Sequence, residues 1–292
     1  MRVSDSMIFT SIQRNSSAAQ TRMLEAASRA SSQRAIEKPS DDPALAARVM
    51  RADRMLASME SAERSRQTVR TDLELGESGL RAGIDVLGSS LELAIQMSNG
   101  SLSATDRASA ALAVDQQIEA MRRLANTQLE DGRYLYGGTR DGSQPYPAAG
   151  GYLGGDAGRM IEIAPGAMFD AAIVGDQSFG DSDQVFKVLE DFATALRNND
   201  LAGIQASQEA VQGQLDTFVP RLTALGTRIQ VLDAMDTLTA SNKLALQTRR
   251  GSMIDGDFAA LVTEFTAATN TMQSVSEVSR RLMSAAFGSF AG

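Results

Sequence analysis

The sequence lacks cysteine, histidine and tryptophan, and only 5% of its 292 residues are aromatic. Without cysteine there are no disulfides, thiol nucleophiles or thiolate metal sites. Without histidine there is no Ser-His-Asp triad and no imidazole ligand for a metal. Carboxylates, lysine and tyrosine are the only side chains left for acid–base chemistry. We therefore predict no catalytic residues, no metal site and no cofactor.

Excess basic charge and long apolar runs are also missing. The chain has 28 basic and 36 acidic residues, which gives a net charge of -8. Because an acidic surface repels phosphate, we expect no nucleic-acid partner. No window reaches the ~18 apolar residues of a membrane span, so we expect no membrane insertion. Residues 1–20 hold an early arginine but no continuous apolar core, so we expect no cleaved signal peptide.

Composition divides the chain into helical flanks and a turn-rich centre. The flanks are rich in alanine, leucine, arginine and glutamate, whereas the centre is rich in glycine, proline and tyrosine. This pattern predicts a mainly α fold, an elongated antiparallel bundle of long helices or coiled-coil rod, with a small central β-rich insert. The predicted segments are an N-terminal assembly segment (1–42), a long helical hairpin (43–131), the β-rich insert (132–181), returning helices (182–250) and a C-terminal assembly helix (251–292).

The first long helix is predicted from Pro43 to about Met97. Asp42 can cap its free backbone N–H groups, and Pro43 gives up an N–H that would be unpaired anyway. Apolar residues then recur at steps of four and three. Such a helix would be ~80 Å long, so we expect a partner along its apolar stripe.

Charged residues interrupt this stripe. The interrupting seam positions are Glu63, Arg66, Arg70 and Glu77. We interpret Arg64, Arg66 and Arg70 as solvated side chains that pair with acids one turn away.

Further helices are predicted on both sides of the centre. A second helix from about Thr105 to Leu129 should fold back antiparallel to the first. Beyond the centre, Ser182 or Asp183 can cap a short helix. A long stripe follows that contains Pro220, which should kink the helix or mark a join.

The centre is predicted to hold two short strands. Residues 159–163 alternate apolar and polar side chains, and residues 171–174 could form the second strand. Pro165 and Gly166 form a turn pair. A segment of this size holds a core of its own with difficulty, so we expect it to lean on the helices.

Both ends of the chain carry an apolar stripe. A stripe at a terminus needs a partner, either the other end of the chain or another subunit. We expect no partner within the free subunit, so that the ends stay loose until assembly buries them. The predicted assembly residues are Met7, Ile8, Ile12 and Met23 near the N-terminus and Phe258, Leu261, Phe265, Met272, Val275, Leu282, Met283 and Phe287 near the C-terminus.

Several short motifs resemble the bacterial flagellin family. They are Met1-Arg2-Val3-Ser4-Asp5-Ser6-Met7, Lys38-Pro39-Ser40-Asp41-Asp42-Pro43-Ala44-Leu45-Ala46-Ala47 and Asp131-Gly132-Arg133-Tyr134-Leu135-Tyr136-Gly137-Gly138-Thr139. The Lys38–Pro43 form is similar to that of the family's hook–filament junction branch. The last forty residues fit the family's C-terminal helix.

The resemblance implies a structural protein and not an enzyme. Such proteins are exported unfolded by the flagellar type III apparatus, without a cleaved signal peptide, and end up outside the cell in the flagellum. The resemblance implies four partners: neighbouring copies, the hook-side junction protein, flagellin, and a cytoplasmic export chaperone at the C-terminal helix.

Two alternative functions stay open on the sequence alone. A short flagellin would build the filament itself and would polymerise alone. A cytoplasmic coiled-coil adaptor would have ordered ends in the monomer. An enzyme would need a tightly bound small molecule in the central insert.

Overall fold

The structure, a computed structural model, describes residues 2–148, 150–180 and 184–288. In these ranges it has seven helices and one two-stranded antiparallel sheet. The helices are α1 (Arg2–Ser32), α2 (Pro43–Met97), α3 (Ala104–Ala125), α4 (Gly175–Phe179), α5 (Gln184–Arg197), α6 (Leu201–Ile254) and α7 (Phe258–Gly288), and the strands are β1 (Met160–Ala164) and β2 (Ala167–Asp170). The predicted class, mainly helical with a small β-rich insert, is confirmed.

The chain forms two compact units. Unit 1 comprises Met1–Ala57 and Ser241–Gly292, and unit 2 comprises Ser58–Ala240. Helices α2 and α6 each contribute residues to both units.

The core of unit 2 follows the predicted seven-residue repeat. Leu73, Leu80 and Leu87 of α2 are fully buried, and so are Phe218 and Leu232 of α6. Helix α3 packs against α5 through its own apolar face. The stripes read from the sequence are therefore the seams of the helical core.

Buried aromatic side chains anchor the insert to the helices of unit 2. The Tyr136 hydroxyl donates to the Gly76 carbonyl of α2 at 3.1 Å. The Tyr136 ring meets Phe179 edge to face, with centroids 4.8 Å apart, and Phe179 in turn contacts Phe218 of α6. Burial raises the pKa of Tyr136, which keeps its hydroxyl a donor. The insert thus shares the core of the helices, as its small size requires.

The two ends of α2 are held by side chains. At the start, the Asp42 carboxylate accepts the backbone N–H groups of Ala44 (3.0 Å) and Leu45 (2.9 Å). At the other end, the buried Arg107 donates to the carbonyls of Met97 (3.0 Å) and Asn99 (2.8 Å). The Met97 carbonyl would otherwise lack a partner, because a helix leaves its last four carbonyls unpaired, whereas the Asn99 carbonyl also accepts the Leu102 N–H at 3.2 Å.

Arg66 is not solvated, contrary to prediction. Its side chain is 1% exposed, donates Nε to the Asp236 carboxylate and donates Nη1 to the Ile163 carbonyl. Arg70 pairs with Asp236 and also with Asp233. Arg66 is buried because it occupies a position on the apolar stripe of α2 that faces the core. A buried guanidinium needs hydrogen-bond acceptors, which Asp236 and Ile163 supply.

Helix α3 ends at Ala125, earlier than the predicted Leu129. The next residue, Asn126, donates its side-chain amide to the Tyr146 carbonyl (2.8 Å) and accepts the Tyr146 N–H (2.9 Å). This paired contact with the insert draws the chain out of the helix.

The second strand also differs from the prediction. Strand β2 covers Ala167–Asp170 instead of residues 171–174, and Ala164 pairs directly with Ala167. Gly166 has a φ of 77°, so it makes a tight turn with Pro165, and the returning strand must start at once. Residues 171–174 are buried beyond the strand.

Helix α6 runs without interruption through Pro220, so this residue does not mark a join. The predicted short helix is α5, which begins at Gln184. The predicted caps Ser182 and Asp183 lie outside the described residues.

Candidate assembly surface

The two terminal helices pack against each other in unit 1. The hydroxyls of Ser16 and Ser279 are 3.4 Å apart, and Arg29 Nη2 lies 2.9 Å from Glu264 Oε1. The two helices are antiparallel, because residues later in α1 contact residues earlier in α7. The prediction that the ends have no partner within the chain is therefore wrong. Of the two partners considered, the structure pairs each end with the other.

The seam of this pair is thin. Among the side chains that the structure describes, those buried in the seam are Ala19 and Ala26 of α1 and Leu261 of α7. Alanine removes little apolar area from water, and stabilisation scales with that area at about 25 cal/mol per Å². The pair consequently gains much less from burial than the leucine and phenylalanine seams of unit 2.

The chain segments that lead into the pair lie side by side. Ala35 N–H donates to the Ile254 carbonyl (2.7 Å), and Gly256 N–H donates to the Gln33 carbonyl (2.9 Å). A Cβ on Gly256 would lie 2.7 Å from Leu261 Cδ1 and 3.1 Å from Ala35 N, so a larger residue here would have to displace the end of the Leu261 side chain. These bonds set the end of α1 beside the start of α7.

Asp41 stiffens the loop before α2. Its carboxylate accepts the backbone N–H groups of Lys38 (3.0 Å) and Glu37 (3.1 Å). These hydrogen bonds hold the pKa of Asp41 below its usual range, and the bond from the Lys38 N–H has the largest effect.

The predicted assembly residues fall into three groups. Leu261 is buried in the seam. Four flank it and are half-buried: Ile12, Met23, Met272 and Val275. Five are exposed: Met7, Phe258, Phe265, Leu282 and Met283. The side chains of Ile8 and Phe287 lie outside the described residues.

The structure adds apolar residues that the sequence analysis missed. The exposed large apolar residues that the structure describes in α1 and α7 outside the predicted assembly set are Phe9, Leu24, Val262 and Val278. The sequence could have identified Val262, because Phe258, Val262 and Phe265 are spaced by four and three residues and so share one face of α7. We call the nine exposed side chains the terminal apolar surface. It consists of Met7, Phe9, Leu24, Phe258, Val262, Phe265, Val278, Leu282 and Met283.

Exposed apolar side chains that share one helix face, as Phe258, Val262 and Phe265 do, are typical of a protein interaction site. In the described part of the chain, no cluster of acidic side chains could hold a metal ion. No helix there is both long and apolar enough to cross a membrane.

Comparison with known proteins agrees with this geometry. Residues 3–141 match the model of the bacterial flagellin N-terminal helical region. Flagellar hook-associated protein 3 of Escherichia coli K12 is 22% identical over 94% of this chain and 94% of its own length. Flagellar hook-associated protein 3 of Salmonella typhimurium LT2 is 23% identical over 91% of this chain and 92% of its own.

Solved structures share the fold. A flagellar hook-associated protein from Vibrio parahaemolyticus has a TM-score of 0.68 at 22% identity, and the match covers 74% of this chain and all of that one. FlgL of Bacillus cereus has a TM-score of 0.61 at 23% identity, covering 69% of this chain and 99% of its own. The relatives that this chain resembles are named as hook-associated proteins of the flagellum, which agrees with the prediction of a structural protein and not an enzyme. The resemblance of this chain to the bacterial flagellin family, and within that family to flagellar hook-associated protein 3, is confirmed.

Proposed function

We propose that this chain is a structural subunit of the bacterial flagellum that joins the hook to the filament. The terminal apolar surface carries the proposal, because it lies on a helix pair whose own seam is thin. Along nearly its full length the chain is similar to proteins named for the flagellar hook.

Assembly proceeds by burial of this surface. Full burial of an exposed phenylalanine contributes about 1.5–3 kcal/mol, and Phe258, which is 58% exposed, would gain about half of that when a neighbour covers it. In the free subunit, the ordering of α1 and α7 is poorly compensated by an alanine seam, so the ends loosen readily. Free subunits therefore do not polymerise prematurely. The terminal helices become fully ordered when the growing flagellum supplies apolar side chains that bury the terminal apolar surface.

The partners of this surface are neighbouring copies, the hook-side junction protein and flagellin. Before export, a cytoplasmic flagellar chaperone covers α7 and keeps its apolar residues from aggregating. The subunit leaves the cell through the flagellar type III apparatus without a cleaved signal peptide and resides in the extracellular flagellum.

Substitution of the α7 part of the surface tests the proposal. The triple variant Phe258→Ser, Val262→Ser, Phe265→Ser removes three exposed apolar side chains and no buried one. In a strain that lacks its own copy of the gene, we expect this variant to give hooks without filaments and flagellin in the medium. The control is Leu112→Ser, which removes an exposed leucine of α3 in unit 2. Normal filaments with the triple variant would contradict the proposal.

A coiled-coil adaptor in the cytoplasm is the second candidate, because the pairing of α1 with α7 in one chain is also what such an adaptor needs. Electron microscopy of flagella labelled with antibody to this chain separates the two. Label at the junction supports the first candidate, and label confined to the cytoplasm supports the second.

A polymerisation assay distinguishes a junction subunit from a short flagellin. Purified flagellin would form long filaments alone, whereas a junction subunit would not.

A further inference from the structure

The turn between α2 and α3 contains Asn99, the only asparagine of the sequence that precedes a glycine. Both Asn99 and Gly100 are exposed. The backbone nitrogen that follows an asparagine can attack the side-chain amide carbon, which closes a succinimide ring and releases ammonia. Glycine permits this attack best, because it has no Cβ that would obstruct it. A Cβ built on Gly100 would meet no atom within 4 Å, so no other part of the described chain shields the site.

The side chain of Asn99 is folded over the Gly100 peptide. Its Oδ1 accepts the backbone N–H of Ser101 at 3.1 Å and the Ser101 hydroxyl at 3.0 Å. The bond from the backbone N–H closes a ring of atoms that includes both Asn99 Cγ and Gly100 N, so the electrophile and the nucleophile are held near each other. The attack gives Oδ1 a negative charge, and the two Ser101 donors stabilise that charge where it develops.

The nucleophile and the leaving group are both unobstructed. Among the described residues, no acceptor binds the Gly100 N–H and no partner binds Asn99 Nδ2. Loss of the Gly100 proton to solvent, and departure of Nδ2 as ammonia, therefore break no hydrogen bond of the fold. Asn126 differs, because its side chain is bonded through both polar atoms to the main chain of Tyr146.

Arg107 favours one outcome of the hydrolysis that follows. The main-chain carbonyl of Asn99 accepts Nη2 of the buried Arg107 at 2.8 Å and the Leu102 N–H at 3.2 Å. In the succinimide, this carbonyl carbon and Cγ are both bonded to Gly100 N, and water can add to either. Donors that polarise the main-chain carbonyl direct water to it. Its bond to Gly100 N then breaks, which leaves a carboxylate beside Arg107 and a main chain that continues through Cγ, an isoaspartate.

We propose that Asn99 is a self-modification site, which water converts to isoaspartate through a succinimide without an enzyme. The net reaction consumes water and releases ammonia, and nothing is oxidised or reduced. The product lengthens the main chain of the turn by a carbon atom and adds a negative charge to unit 2, so an aged subunit differs from a new one. No residue of the terminal apolar surface takes part, so the inference does not depend on the proposed place in the flagellum.

Incubation of the purified full chain in mildly alkaline buffer tests the rate. Peptide mapping by mass spectrometry measures the loss of asparagine, and enzymatic methylation of the isoaspartate carboxylate identifies the product. Asn99 should convert about tenfold or more faster than Asn242, an exposed asparagine whose next N–H is held inside α6.

Two variants test the geometry. Gly100→Ala should fold normally, because Gly100 has no positive φ and open space surrounds it, and should slow the conversion of Asn99 about tenfold or more. Ser101→Ala removes the hydroxyl donor and should slow the conversion about threefold or more, which is the value of one hydrogen bond. Circular dichroism checks that both variants are folded.

The product ratio tests the role of Arg107 without a variant. In guanidinium chloride the chain unfolds and Arg107 leaves the Asn99 carbonyl. The ratio of isoaspartate to aspartate should therefore be about threefold or more higher in the folded chain than in the unfolded one. Conversion of Asn99 no faster than that of Asn242, an unchanged rate in either variant, or equal product ratios in the two states would each overturn the proposal.

Discussion

At the scale of single residues, Arg66 shows how a long helix tolerates a charge in its seam. Its guanidinium is buried and depends on the Asp236 carboxylate and on the Ile163 carbonyl. Removing one partner of such a pair leaves an uncompensated charge, which usually costs more than the pair contributes.

Asp236→Asn should lower the free energy of unfolding by about 3 kcal/mol, at the lower end of the usual cost because Asp236 is partly exposed. Urea titration followed by circular dichroism measures this change. The control is Asp233→Asn, because Asp233 is 61% exposed and Arg70 is its one ion-pair partner among the described residues. We expect the control to cost less than about 1 kcal/mol. Equal costs for the two variants would show that Arg66 does not need its partner.

The same carboxylate predicts a pH dependence. Burial alone would raise the pKa of Asp236, but the hydrogen bonds from Arg66 and Arg70 outweigh it and hold the pKa below its usual value. A depressed folded-state pKa stabilises the fold above the unfolded pKa of about 4, and this stability is lost as the pH falls through the folded value. The stability of Asp236→Asn should therefore fall less steeply than that of the unmodified chain below about pH 4. Parallel curves would contradict the assignment.

Arg107 is the second buried arginine on which unit 2 depends. It donates to the carbonyls of Met97 and Asn99 and to the side-chain oxygen of Asn199. Arg107→Ala should cost about 2–4 kcal/mol in unfolding free energy, since buried acceptors lose their donor. Arg123→Ala, at an exposed arginine of the same helix, is the control and should cost less than about 0.5 kcal/mol. A mild effect at Arg107 would mean that water replaces its hydrogen bonds.

At the scale of elements, the α1–α7 pair carries the terminal apolar surface and is held by small buried side chains. Ala26 is 2% exposed within its seam, whereas Ala18 of the same helix is exposed. Ala26→Glu should separate the helices, because burying an unpaired carboxylate costs several kcal/mol. Hydrogen exchange in residues 10–30 and 258–280 should accelerate about tenfold or more. Ala18→Glu should leave exchange unchanged, and slow exchange in both variants would contradict the pairing.

The elements also show what the sequence could predict. The start of α2 was predictable, because Asp42 and Pro43 give a local signal. The end of α3 was not, because Asn126 leaves the helix to bond Tyr146, a partner twenty residues away that no local pattern identifies. Strand β2 was misplaced although the Pro165-Gly166 turn that fixes its start was recognised.

The candidate site was partly predictable for a similar reason. Helical spacing identified Phe258, Phe265 and Leu282 as apolar positions of α7. It did not distinguish exposed Phe265 from buried Leu261, because that difference depends on where α1 packs. The burial of Arg66 was missed because charge was taken as a sign of solvent exposure.

At the scale of the whole chain, the two units differ in the side chains that hold them. The buried apolar side chains that the structure describes in unit 1 are Ala19, Ala26, Ala46, Ala52 and Leu261. Unit 2 instead buries large side chains, among them Leu73, Phe179, Phe192 and Phe218. Since stabilisation rises with the apolar area buried, unit 1 should unfold at a lower urea concentration than unit 2.

The distribution of tyrosine makes this difference measurable without labels. The chain has four tyrosines, Tyr134, Tyr136, Tyr146 and Tyr152, all in unit 2, and no tryptophan. Tyrosine fluorescence therefore reports on unit 2 alone, whereas circular dichroism reports on the helices of both units. In a urea titration, we expect the circular dichroism signal to fall first while the fluorescence is unchanged, and then both to change together. Coincident curves would indicate a single cooperative transition. In that case α1 and α7 would unfold at the same urea concentration as the aromatic core of unit 2, so they would already be ordered in the free subunit. Assembly would then occur by rigid docking of preformed surfaces and not by ordering of the terminal helices.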